Sequence, residues 1–328
     1  LYLSIAIFMF GCTHNDGKDV FLSRRDNIIN VQDKIQAIDL GEVLVSSRGI
    51  PVVAGEYFVL GDMKSVSKTI HVFDIRSFRH LASTGQFGQG PHEITALGNV
   101  VWNPSKREIY AIDHGKSKIY AYNIDSVISN PNFNPYEKMQ MDLSLFPAKI
   151  EFISDTMSFC RVIKPTSVST FTESTGIINL KTGDIKLLEY NHPDVNAEQK
   201  SINIAISKSD KIYAICHWNS DLISLFDFEG NLIANVFGPY GTDNGFTNYT
   251  RCVFSDKYLI AAYNGKESKK FEPTNQCFLF TKSGEYLATL NVGYNILEIC
   301  YDEHNDRLIF WFDDDIQLGY LDLKKLNW

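Results

Sequence analysis

The sequence predicts an all-β fold, a six-bladed β-propeller closed by an N-terminal strand. Three observations carry this expectation. Short runs rich in Ile, Val, Tyr and Phe alternate with Gly, Asn, Asp and Ser turns, the pattern of successive strands. No stretch of about 12 residues sustains the period of an amphipathic helix. A two-strand unit also recurs, with copies starting 46 to 55 residues apart. A period near 50 residues with four strands per unit is the size of a propeller blade. A sandwich plus a second domain explains the even spacing poorly, and no linker-like stretch divides the chain.

The elements follow in order. Leu1 to Phe10 is uncharged and apolar. It is shorter than the roughly 20 residues a spanning helix needs, and it matches the apolar core of a secretory signal. Gly11 and Cys12 follow directly, resembling a bacterial lipobox, in which the Cys is acylated and begins the mature chain. Residues 1–12 are therefore read as a signal peptide and Cys12 as the lipidation site. Residues 13–33, opening with the polar run Thr13 to Asp19, are read as a solvated tether. The propeller occupies 34–328.

Five clear copies of the repeat are present. They begin at Glu56, Glu108, Lys211, Lys257 and Arg307. A weaker copy lies at Thr156 to Leu180. Each copy has an apolar strand, a short polar loop and a second strand often ended by Asp, as at Asp74, Asp227 and Asp322. Inner strands precede the copies at Gly98–Trp102, Lys149–Ile153, Ile202–Ile206, Thr250–Phe254 and Ile296–Cys300. Outer strands follow Gly-containing turns, as at Leu232–Phe237 and Tyr286–Leu290. The sixth blade lacks an outer strand, because the chain ends soon after Asp322. The alternating segment Lys34–Leu40 is expected to supply it, which removes an open sheet edge.

Composition narrows the function. The chain has 328 residues, 31 Lys+Arg and 39 Asp+Glu, a net charge of −8. An acidic chain offers no general field for phosphate backbones, so no nucleic-acid partner is expected. Beyond Cys12, the five cysteines sit singly in strand-like runs and read as buried small hydrophobes. Gly115-Lys116-Ser117 lacks the first Gly of a P-loop, and no G-x-S-x-G elbow is present. His92-Glu93 lacks the second His of a metalloprotease helix. Asp313-Asp314-Asp315 lacks the spacing of a calcium loop. No metal, cofactor or catalytic set is expected from local motifs.

Gly85-Gln-Phe-Gly88-Gln-Gly90-Pro91-His-Glu93-Ile94 resembles the F-G-x-x-G-P signature of six-bladed, NHL-like or TolB-like propeller lipoproteins of Bacteroidetes. Phe237-Gly238-Pro239-Tyr240-Gly241 is a looser second copy. The resemblance implies an exported propeller anchored at the outer membrane, and supplies no reaction.

In a propeller, the loop between a blade's second and third strands shares a face with the loops joining blades. That face is expected to collect His114, His217, Trp218, Tyr240 and Asp314 around a central channel, as ligand-binding residues. Aromatic rings stack on sugars or peptide side chains, while His and Asp give directional hydrogen bonds. The inner strands add Asn99, Glu151, Asn203, Arg251 and Glu298. The preferred reading is a lipid-anchored binding module for a peptide, a glycan or a partner protein. The alternative is a lactonase- or lyase-like enzyme with a divalent metal in the channel.

Overall fold

The computed structural model describes residues 18–130, 132–167, 170–188, 190, 192–195, 201–242, 245–267 and 273–326. Six blades are present. Blade 1 comprises Gly49–Ala54, Tyr57–Asp62, Lys68–Asp74 and His80–Gln86. Blades 2, 3 and 4 begin with the inner strands Leu97–Asn103, Phe146–Glu151 and Ile202–Ser207, and each adds three antiparallel strands outward. The weak third copy of the repeat is thus a full blade. Blade 5 starts at Phe246–Phe254 and blade 6 ends at Leu318–Asp322.

One 17-residue strand, Tyr286–Asp302, serves both of the last two blades. Its first half is the outer strand of blade 5, and its second half is the inner strand of blade 6. Gly293 sits at the change of role with φ +78°, and a Cβ there would lie 2.3 Å from the Gln32 side chain. Only glycine fits that conformation and that space.

Closure follows the expectation. Gln36–Ala37 pairs antiparallel with the last strand, Gly319 opposite Ala37 and Tyr320 opposite Gln36. The ladder continues through the Ile38 N–H, which donates to the Leu318 carbonyl at 2.9 Å.

The residues just before it correct the tether expectation. Asp19–Phe21 lies parallel to Asn235–Phe237, the outer edge of blade 4. Ile28–Asn30 lies parallel to Thr289–Asn291, the outer edge of blade 5. Residues 18–37 therefore form a strap across three consecutive blades. The cause is the unpaired backbone of those edges, which a passing segment satisfies. Val31 at the end of the strap is fully buried, worth about 1.5–3 kcal/mol. The expected signal segment and Cys12 lie outside the described residues.

The core is a series of apolar layers between adjacent blades, with Trp311, Tyr110 and Tyr249 among its largest fully buried side chains. Five cysteines are free thiols, four of them buried. Burial raises the Cys160 thiol to about 12, so it packs as a hydrophobe. The single α-helix among the described residues, Ile124–Ser129, is capped by Asn123, whose side chain accepts from the Ser126 N–H at 3.0 Å. It is too short to show a period in the sequence. No helix among the described residues is long and apolar enough to cross a membrane.

Candidate functional site

The face that bears the channel mouth is assembled by a repeated backbone contact. In blades 1, 2, 4 and 6 the hairpin after the second strand donates to the segment leading into the inner strand. The pairs are Met63 to Arg48 at 3.0 Å, and His114 to Ala96, Trp218 to Ser201 and Asp313 to Asn295, each at 2.8 Å. Carboxylates reinforce the contact. Asp62 accepts from the Ser46 N–H at 2.8 Å. Asp113 accepts from the Thr95 and Ala96 N–H groups, both at 2.9 Å. Asp314 accepts from the Asn295 N–H at 3.0 Å. The repeated Asp is therefore a clamp on the entry to its own blade's inner strand as well as a turn residue. Ionised acceptors bind backbone N–H groups strongly.

The two signature segments also shape this face. In the first, Glu93 folds back so that its carboxylate accepts from the Gly90 N–H at 2.7 Å. A Cβ on Gly88 would lie 2.1 Å from that carboxylate, which explains the glycine. Lys116 from the neighbouring hairpin donates to the Gly90 and Glu93 carbonyls at 2.5 and 2.6 Å. In the second, the Gly238 N–H donates to the Asp221 carbonyl at 2.7 Å. A Cβ on Gly238 would meet Asp221 and Arg25 at 2.0 and 1.8 Å. Arg25 comes from the strap. Its side chain is 5% exposed and pairs with Asp221 at 2.6 Å. It also donates to the Tyr249 hydroxyl at 3.0 Å and lies 4.5 Å from the centre of the Phe278 ring.

Inside the ring runs a channel of about 520 Å³, lined by the inner strands of all six blades. Asn99, Glu151, Asn203, Arg251 and Glu298, the polar inner-strand residues visible in the sequence, all line it. So do Arg48, Lys149, Arg161 and Lys208, which sequence reasoning missed. The available signal was charge inside an apolar strand: Lys149 and Glu151 stand two residues apart, on one side of a strand. Lys149 pairs with Glu151 at 2.8 Å and Arg251 with Glu298 at 2.6 Å. Burial works against the Lys149 ammonium, but Glu151 and Glu298 outweigh it and hold its pKa above the ordinary lysine value. At Lys208 burial prevails over Glu151 and Glu303, and the pKa falls.

The five residues expected at the mouth are spread around this face. Trp218 lines the channel. His217, its neighbour, is buried, 2% exposed. The His114 ring packs against Gly98, where a Cβ would lie 2.0 Å from Nε2, and edge-on to Phe146 at 4.7 Å. Its Nε2 has no hydrogen-bond partner among the described residues, and burial lowers its pKa. Tyr240 is 55% exposed on the blade 4–5 connection, edge-on to Phe246. Asp314 is the clamp on Asn295. Among the described residues no three His, Cys, Asp or Glu side chains stand together as a metal set.

Solved structures share this architecture at low identity. A DUF4221 protein from Bacteroides vulgatus has a TM-score of 0.57 at 12% identity, covering 87% of this chain and 94% of its own. A calcium-binding protein, regucalcin, from Agrobacterium tumefaciens has a TM-score of 0.56 at 11% identity, covering 90% and 94%. A luciferin-regenerating enzyme has a TM-score of 0.57 at 10% identity, covering 87% and 93%. At such identities the likeness is one of fold. No curated protein matches the sequence. A family described as a 6-bladed beta-propeller, DUF5128, matches residues 42–271, more than half of the chain, and the protein belongs to that family.

Proposed function

We propose that this propeller is a binding module, held at the cell envelope through an acyl group on Cys12, whose ligand enters the channel beside Trp218. The observation that carries the reading is the channel itself. Its 520 Å³ lies within the roughly 300–1,000 Å³ range of small-ligand sites, and it combines apolar walls with a few polar groups and an aromatic ring at its mouth. A glycan chain end or a peptide segment fits that chemistry better than a catalytic metal does. The channel carboxylates Glu151 and Glu298 are each held by a cation, and those on the mouth hairpins clamp backbone N–H groups.

Binding is tested on glycan and peptide arrays with the native protein and Trp218→Ala. Affinity should fall about tenfold or more, the loss typical of a central aromatic anchor. An equal signal from a folded variant would place the site elsewhere. The anchor is tested by Cys12→Ser in the full-length chain. The variant should leave the membrane fraction, and unchanged fractionation would sink the lipoprotein assignment.

A further inference from the structure

The charge of the channel is opposite to that of the chain. The sequence carries a net charge of −8. The charged residues described along the channel are five cations, Arg48, Lys149, Arg161, Lys208 and Arg251, against two anions, Glu151 and Glu298. Both glutamates are taken by Lys149 and Arg251. That leaves Arg48 and Arg161 toward the mouth, the latter loosely paired with Glu173 from outside the channel lining, and Lys208 toward the opposite opening.

Arg161 is the better placed of the two arginines. Its Nη1 donates to the Ile202 carbonyl at 3.3 Å, and its nearest carboxylate, Glu173, stands 3.8 Å away. Glu173 is itself 6% exposed and accepts from the Ile202 N–H at 2.8 Å, so it forms a loose ion pair with Arg161 without a direct hydrogen bond to the guanidinium. The Arg161 Nε is buried and has no hydrogen-bond partner among the described residues. Trp218 is anchored at the same spot, since its N–H donates to the carbonyl of Ser201, the residue before Ile202. Arg48 stands at the start of the blade 1 inner strand, exposed and without a carboxylate partner among the described residues.

We infer that the mouth takes an acidic sugar, its ring on Trp218 and its carboxylate on the Arg161 guanidinium, with Arg48 adding longer-range attraction. The inference rests on the binding reading above and narrows it to one ligand class. A guanidinium presents parallel donors matched to a carboxylate, and partial burial strengthens the pair. A cationic channel in an anionic surface also focuses the field on one entrance.

The probes are methyl glucuronide and methyl glucoside, titrated against the tryptophan fluorescence of the native protein. Trp218→Phe identifies the signal. The glucuronide should bind about tenfold tighter or more, as a charge-assisted contact implies, and high salt should narrow the gap. Arg161→Gln should remove most of the preference, lowering glucuronide affinity far more than glucoside affinity. Arg48→Gln, at an exposed position that folding does not need, should reduce the preference partially. Equal affinity of the two sugars would overturn the acidic class and leave the sugar site standing. Binding of neither sugar would also overturn the inference, and the array result then decides the broader reading separately.

Discussion

The two copies of the signature segment are built alike and locked differently. At the blade 1–2 junction the lock is local: Glu93 closes on Gly90, three residues away, and Lys116 caps two carbonyls from the adjacent hairpin. At the blade 4–5 junction the lock is remote. Arg25 reaches Asp221 across 196 residues of sequence, between rings supplied by blade 5. The difference teaches that one turn can be held by its own residues or made conditional on a distant segment. The second arrangement ties the strap on the outer rim to the architecture of the mouth.

The largest break of this comparison is removal of residues 18–33. Blades 4 and 5 then lose their fifth strands, and the remote lock loses its arginine. The expected outcome is a melting temperature lower by ten degrees or more, on the order of several kcal/mol for a chain of this size. A truncated protein that melts with the native one would show that the strap is ornamental.

A narrower cut is Arg25→Met, which keeps length and apolar contact but leaves Asp221 buried without its cation. Breaking a buried pair on one side costs about 3–5 kcal/mol. Chemical denaturation should report that loss. Arg25→Met with Asp221→Asn should recover part of it, and a double variant no better than the single would argue against the pair.

A pH series sharpens the comparison from the side of blade 1. His71 is 6% exposed on that blade, and its Nε2 meets no hydrogen-bond partner among the described residues. Burial lowers its pKa from 6.5 to about 4, against the pull of Asp62. The folded state therefore prefers the neutral ring. The unfolded state takes up a proton first as pH falls through 6.5, so stability present above that pH drains away toward pH 4. The slope is about 1.4 kcal/mol per pH unit, or roughly 3 kcal/mol across the window. The denaturation midpoint of His71→Gln should depend less on pH between 6.5 and 4 than that of the native protein. Parallel curves would rule out His71 as the source.

The sequence made the ring legible because each blade repeats its own signals. Five inner strands, the closing strand at 36–37 and the shared face of the hairpins could be read from period and turn chemistry. The inner strand Gly49–Ala54 and the outer strands of blades 1 and 2 were less visible. The strap was illegible for a physical reason. Asp19–Phe21 and Ile28–Asn30 are three residues each, too short to show alternation, and their partners lie more than 200 residues away. Arg25 sits in Leu-Ser-Arg-Arg-Asp, which reads as a solvated run. Arg161 was hidden similarly, since a lone charge in an apolar strand does not declare whether it faces an axis or a neighbour.

The strand Tyr286–Asp302 has a consequence for how the channel-mouth face diversifies. Elsewhere on this face blades are joined by loops, as at 87–96 and 141–145, and loops absorb insertions. Between blades 5 and 6 one strand continues instead, paired with blade 5 up to Asn291 and again at Ile296, where its pairing with blade 6 begins. One residue added beyond Ile296 turns every later side chain to the opposite side of the sheet, Glu298 included. Related propellers are thus free to rebuild most of the rim by changing loop length, while this sector stays a fixed datum. Under the proposed binding role, variation in ligand choice should gather opposite it, around blades 2 and 3, where Arg161 stands.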